Sequence, residues 1–200
     1  MKFALYLTFS YLLGSIPTGY ILFWISEKKD IRKFGSGNIG FANITRLKGF
    51  SFGIPVLIFD FLKGFIPVWL GLKISGNSAV ALIGGFLACL GHIYPIYLKF
   101  KGGKGFATAL GVFTGTFFLG ALIVSFIVIT LIITTGYVSL ASIIGVVLYP
   151  LVLFIFKKSF TFILIISLIS IMVIYRHKDN IKRLIKGEER KIRKSRKNEA

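Results

Sequence analysis

Residues 105–156 read GFATALGVFTGTFFLGALIVSFIVITLIITTGYVSLASIIGVVLYPLVLFIF, 52 consecutive positions without a charge. A straight helix of that length, at about 1.5 Å per residue, would overshoot a hydrocarbon core about 30 Å thick more than twofold. The run must fold back, and the number of its passes decides the topology. Gly120 and Gly136 are the expected breaks, since glycine adopts turn conformations at little cost.

Other apolar stretches flank it. Phe3–Ile25, Ser51–Leu72, Ser78–Leu98 and Ser159–Tyr175 each read as a span. The first follows a single Lys2 and lacks a small-residue cleavage pattern, so it reads as a retained span. Cytoplasmic loops collect Lys and Arg. With the N-terminus outside and three passes through the long run, 20 of the 25 basic residues fall inside. With two passes, 11 fall inside and 13 outside. Three passes are therefore expected: an all-α integral membrane protein with seven transmembrane helices, N-terminus outside and C-terminus cytoplasmic.

Composition agrees. The 200 residues are 55% hydrophobic and 16% charged, yet carry a net charge of +18. A soluble domain holds about 25% charged residues. A disordered basic chain would lack the apolar content, with its 21 Phe. One Cys excludes a disulfide framework or a cysteine zinc site, and seven acids leave little for a carboxylate metal centre. No metal site is expected.

In this topology the polar segments share the cytoplasmic face. Loop 26–50 contains Ser36, Asn38, Asn43 and Arg46, the last two at i, i+3 if helical. Its Gly35, Gly37 and Gly40 fit GxGxxG, but a dinucleotide site needs a βαβ unit that no strand here supplies. Segment 99–106, KFKGGKGF, fails the Walker pattern. Three glycines around Lys104 before a helix nonetheless suit an anion, through converging N–H groups and a helix N-terminus. In the tail, Arg176, Asn180 and Arg183 fall at i, i+4, i+7 with His177 one position round. Beyond Gly187 the charges lose apolar period and read as a topology signal that also favours anionic headgroups. Asp60 and Lys63 are i, i+3 within a span and either neutralise each other or serve the site. His92 reads as a structural hydrogen bonder, and Gly111 with Gly115 as a packing motif.

Many cations, Gly loops and few acids suit an anionic, multiply phosphorylated ligand at the cytoplasmic membrane surface. A membrane enzyme of lipid synthesis and a transporter of a phosphorylated metabolite both fit. Transporter sites lie near the midplane, often between internal repeats, and no repeat is visible here. A Ser36/His177 protease would not need so many cations.

Several motifs together carry a specific resemblance: GSIPTGY (14–20), GSGNIGFANITR (35–46), DFLKG (60–64), GHIYP (91–95), KGGKGFATALG (101–111), YVSLAS (137–142) and IYRHKDNIKRL (174–184). The sequence closely resembles the bacterial acyl-phosphate:glycerol-3-phosphate acyltransferase (PlsY) family from about Leu12 to Gly187. The resemblance implies a multi-pass inner-membrane enzyme with a cytoplasmic active site. It implies acyl transfer from acyl phosphate to the 1-hydroxyl of glycerol 3-phosphate, giving lysophosphatidic acid and phosphate without a cofactor. Expected partners are those two substrates, membrane lipids and a soluble enzyme that makes acyl phosphate, with no nucleic acid. The implied domain is 1–187, followed by a basic cytoplasmic tail, 188–200. The resemblance implies Ser36, Arg46, Lys104, His177 and Asn180 as the catalytic set. It assigns Gly37, Asn38, Asn43, Lys101, Gly102, Gly103, Gly105, Ser139 and Ser142 to substrate and phosphate binding. Phe41 departs from the family pattern, which has a small residue there more often. The general base is either His177, with an ordinary pKa near 6.5, or a phosphate oxygen of the donor.

Overall fold

The computed structural model describes residues 2–192. Its elements are α1 (Lys2–Ser15), α2 (Thr18–Glu27), α3 (Phe41–Lys48), α4 (Phe50–Ser75), α5 (Ser78–Ile93), α6 (Phe106–Thr116), α7 (Phe118–Thr135), α8 (Val138–Ile155), α9 (Phe160–Arg176) and α10 (Lys178–Ile185). Short 3₁₀ turns lie at Ile31–Lys33 and Ile96–Leu98, and no strand occurs among the described residues.

The fold is that of an all-helical integral membrane protein. Among the described residues, five helical stretches are long and apolar enough to span a membrane: Lys2–Glu27, Phe50–Ser75, Ser78–Leu98, Phe118–Thr135 and Val138–Ile155. α9 with α10, bent by 59°, makes a sixth candidate. The seventh apolar helix, α6, has only 11 residues, about 16 Å or half a crossing. The first stretch is broken before Pro17, whose missing N–H and fixed ring interrupt the helix between Ser15 and Thr18.

The charge-free run is broken twice, into α6, α7 and α8. Gly136 ends α7 in the left-handed conformation, φ 77°. The other break is at Phe117, extended at φ −150°, three residues before the expected Gly120, which lies buried inside α7. Gly120 is needed for contact: a Cβ there would meet the Phe117 ring at 2.6 Å.

α4 is the central post. Apolar side chains gain little from leaving lipid for another helix, so close backbone approach drives the association. A Cβ on Gly64 would lie 1.9 Å from the Thr108 carbonyl, and one on Gly111 2.0 Å from that of Phe61. α4 and α6 are therefore in near-backbone contact, as the packing reading of Gly111 requires. The outer face is apolar: Phe126, Ile133, Phe154 and Phe160 are each more than 70% exposed. Such a surface suits hydrocarbon rather than water.

Candidate functional site

The polar segments converge at one end of the bundle. Asn43, on α3, is 1% exposed, and its amide donates to the carbonyls of Phe34 (3.1 Å) and Asn38 (2.9 Å). Its Oδ1 accepts from the Ser36 N–H at 2.9 Å. Asn43 thus shapes loop 34–38 from within. Gly35 and Gly37, at φ 60° and 72°, take the backbone turns that this requires. The turn leaves Ser36 exposed and Asn38 half-buried.

The glycine segment is held differently from the sequence expectation. The N–H groups of Gly102 and Gly103 donate to the carbonyls of Ile93 and His92, at 3.2 and 3.1 Å. They close the end of α5 rather than cradle an anion. On the other side, Arg176 donates to the carbonyls of Gly102 (3.3 Å) and Gly103 (3.4 Å). Gly105, at φ 90°, then turns the chain into α6. Its first residues, Phe106 and Ala107, line a cavity together with Gly105. The N–H groups of a first helical turn have no intrahelical acceptor, so this helix start, unlike Gly102 and Gly103, leaves its donors free at the cavity wall.

Lys104 donates to Asn180 Oδ1. The Asn180 amide donates to Glu189 Oε1 at 2.7 Å, and Ser139 Oγ to the same oxygen at 2.9 Å. Arg183 Nε meets Glu189 Oε2 at 2.7 Å. Burial alone would raise the Glu189 carboxyl, but hydrogen bonds from Asn180, Arg183 and Ser139 outweigh it and hold the group below its usual range. Burial pushes Lys104 down to about 8, with Glu189 opposing the shift. His177 Nδ1 lies 2.7 Å from the Val173 carbonyl. A carbonyl only accepts, so Nδ1 carries the proton and Nε2 remains an acceptor.

Glu189 was not anticipated. It follows Gly187 in a run of alternating charge, and nothing in its spacing marks it. Residues 188–192 do not behave as a solvated extension. They fold back across α3 and α8: Arg46 donates to the carbonyls of Arg190 (2.7 Å) and Lys191 (3.0 Å), and the Ile192 N–H to that of Gly136 (2.9 Å). The rest of the basic tail, 193–200, lies outside the described residues.

Two cavities meet here. The first, about 260 Å³, is lined by Asn43, Arg46, Ser139, Ser142, His177 and Asn180 among others. It continues over Leu57 and Leu110 and along one face of α7, where Ser125, Val128, Ile129 and Ile132 stand at i, i+3, i+4, i+7. The second, about 170 Å³, is lined by Gly37, Gly102, Tyr175, Arg176, Lys178 and Asp179. Ser36, Asn38 and Lys104 line both. Lys101 is exposed and lines neither, and Gly103 also lines neither. Phe41 lines the first cavity and packs against Phe50, ring centroids 6.4 Å apart. Asp60 and His92, from two spans, line it as well.

Fold and site define a multi-pass membrane protein with a cationic pocket that opens into an apolar groove. The chain belongs to the glycerol-3-phosphate acyltransferase family, whose pattern matches residues 4–187. It is 42% identical over 189 residues to a glycerol-3-phosphate acyltransferase of Endomicrobium trichonymphae, covering 94% of this chain and 95% of the relative. It is 45% identical over 184 residues to one of Thermoanaerobacter pseudethanolicus, covering 92% of each. A crystal structure of PlsY, an integral membrane glycerol 3-phosphate acyltransferase in its glycerol 3-phosphate form, matches with TM-score 0.92 at 38% identity over 96% of both chains. The lysophosphatidic acid form matches with TM-score 0.87. This chain is an integral membrane acyltransferase of that family.

Proposed function

We propose that this chain transfers a fatty acyl group from acyl phosphate to the 1-hydroxyl of glycerol 3-phosphate, releasing lysophosphatidic acid and phosphate. The observation that carries this reading is the meeting of two cavities at Ser36, Asn38 and Lys104. One is small and polar, with Arg176 and Lys178, and suits glycerol 3-phosphate. The other runs from a cationic head along α7, about 10 Å from Ser125 to Ile132, and suits an acyl chain with a phosphate at its end.

The chemistry needs little more than placement. Acyl phosphate is already activated, so proximity and charge stabilisation carry the rate. The glycerol oxygen bonds the acyl carbon, the bond from that carbon to the phosphate oxygen breaks, and phosphate leaves with the hydroxyl proton. Arg46 offers a guanidinium fork and Lys104 a point charge to the phosphates. Asn180 and Glu189 aim Lys104, while Ser139 supports Glu189. His177 Nε2 orients the attacking hydroxyl. Asn43 and Gly37 shape the loop that presents Ser36.

We place the N-terminus outside and the site at the cytoplasmic face of a bacterial inner membrane, with α6 counted as the seventh, short pass. With three passes through the charge-free run, 20 of the 25 basic residues would fall on that side, the distribution that cytoplasmic loops favour. The test supplies the purified chain with radiolabelled glycerol 3-phosphate and palmitoyl phosphate. Equal amounts of lysophosphatidate and phosphate are expected. Binding without product would overturn the reading in favour of a transporter.

A further inference from the structure

Asp60, Lys63 and His92 form a buried cluster outside the proposed catalytic set, respectively 2%, 4% and 5% exposed. Lys63 Nζ lies 2.6 Å from Asp60 Oδ1, and His92 Nδ1 lies 3.8 Å from the same oxygen. If the pair existed only to neutralise itself within the bilayer, no third polar group would be needed beside it. Instead the opposite edge of the His92 ring abuts the glycine segment. A Cβ on Gly103 would fall 2.1 Å from His92 Nε2, and the His92 carbonyl holds the Gly103 N–H at 3.1 Å. Arg176 grips the same segment from outside through the Gly102 and Gly103 carbonyls. Lys104 follows directly.

We propose that Asp60 and His92 are positioning residues for substrate phosphate. Asp60 seats the His92 ring, the ring and its carbonyl seat Gly103, and Gly103 sets where Lys104 stands. Lys63 holds the Asp60 side chain in place through its 2.6 Å contact with Oδ1. Arg176 closes the segment against this support. The device rests on the phosphate-binding role proposed for Lys104.

Charge neutralisation and positioning separate in one comparison. Asp60→Asn alone strands Lys63, and Lys63→Met alone strands Asp60, so both lose stability. The double variant Asp60→Asn/Lys63→Met removes both charges and regains the wild-type melting midpoint in detergent. Its Kd for glycerol 3-phosphate, measured by calorimetry, is nevertheless expected to be about tenfold weaker. A double variant with wild-type affinity overturns the proposal. Should the double variant not fold, His92→Asn and His92→Leu decide. Asn keeps a donor near the Nδ1 position, so it should bind several-fold tighter than Leu, and equal affinities overturn the proposal. Failure of the wild-type chain to bind glycerol 3-phosphate counts against the proposed function itself.

Discussion

The Glu189 carboxylate lies 2.7 Å from the Asn180 amide, and this contact turns the Asn180 carbonyl toward Lys104. Two residues nine positions apart, one on α10 and one past its end, thereby fix the aim of a lysine from the far side of the sequence. Glu189→Gln replaces one of the two acceptor oxygens by a donor, so either Asn180 with Ser139, or Arg183, loses its acceptor. A buried donor left without a partner costs about 1–3 kcal/mol. Turnover kinetics of Glu189→Gln should show kcat/KM reduced at least tenfold. Wild-type kcat/KM would separate Glu189 from the site.

Burial sets Lys104 at about 8 in the ligand-free protein. A phosphate binds the ammonium form, so binding raises the pKa of Lys104 in the complex. Affinity for glycerol 3-phosphate is therefore full below about pH 8 and declines above it, until the pKa of the complex is passed. Isothermal titration from pH 6.5 to 9.5 should show that decline, and Lys104→Arg should move it out of the range. A flat profile in the wild-type chain would remove Lys104 from phosphate binding.

The two lysines of the glycine segment should behave oppositely. Lys104 joins both cavities, whereas Lys101 is exposed and lines neither. Lys104→Ala is expected to lower kcat by about 100-fold, the scale of losing one charge-stabilising donor. Lys101→Ala should stay within about twofold, the scale of a surface change. Comparable losses in both would return the site to the loop as a whole.

Arg46 spends its guanidinium on the backbone of 190–191 in this structure. A phosphate competes for the same fork and offers a charge-assisted bond. Glycerol 3-phosphate or a donor analogue should therefore speed amide exchange at Ile192, whose N–H is tied to the Gly136 carbonyl. Slower exchange on binding would mean that Arg46 keeps its backbone partners.

Helix content and the Gly136 turn were legible because apolar runs and a left-handed glycine leave local marks. The Phe117 break was not. Gly120 carries the turn-forming residue type, but contact with the Phe117 ring uses it inside a helix, where tertiary packing overrides local preference. Ser36, Arg46, Lys104, His177 and Asn180 were legible through motifs, and the structure brings all five to one place. The engagement of the glycine amides was not legible: those of Gly102 and Gly103 face α5 because the chain must close that helix end. Glu189 was hidden by its charged surroundings. His92 lies 32 positions from Asp60, and only the packing of α4 against α5 brings them together.

Direct acyl transfer from acyl phosphate is the reaction proposed for the junction of the two cavities. The most direct measurement is donor preference, with one preparation of the chain given glycerol 3-phosphate and either palmitoyl phosphate or palmitoyl-CoA. Lysophosphatidate is expected from palmitoyl phosphate alone, and is expected to be lost in Lys104→Ala. Equal or faster transfer from palmitoyl-CoA would contradict that reaction.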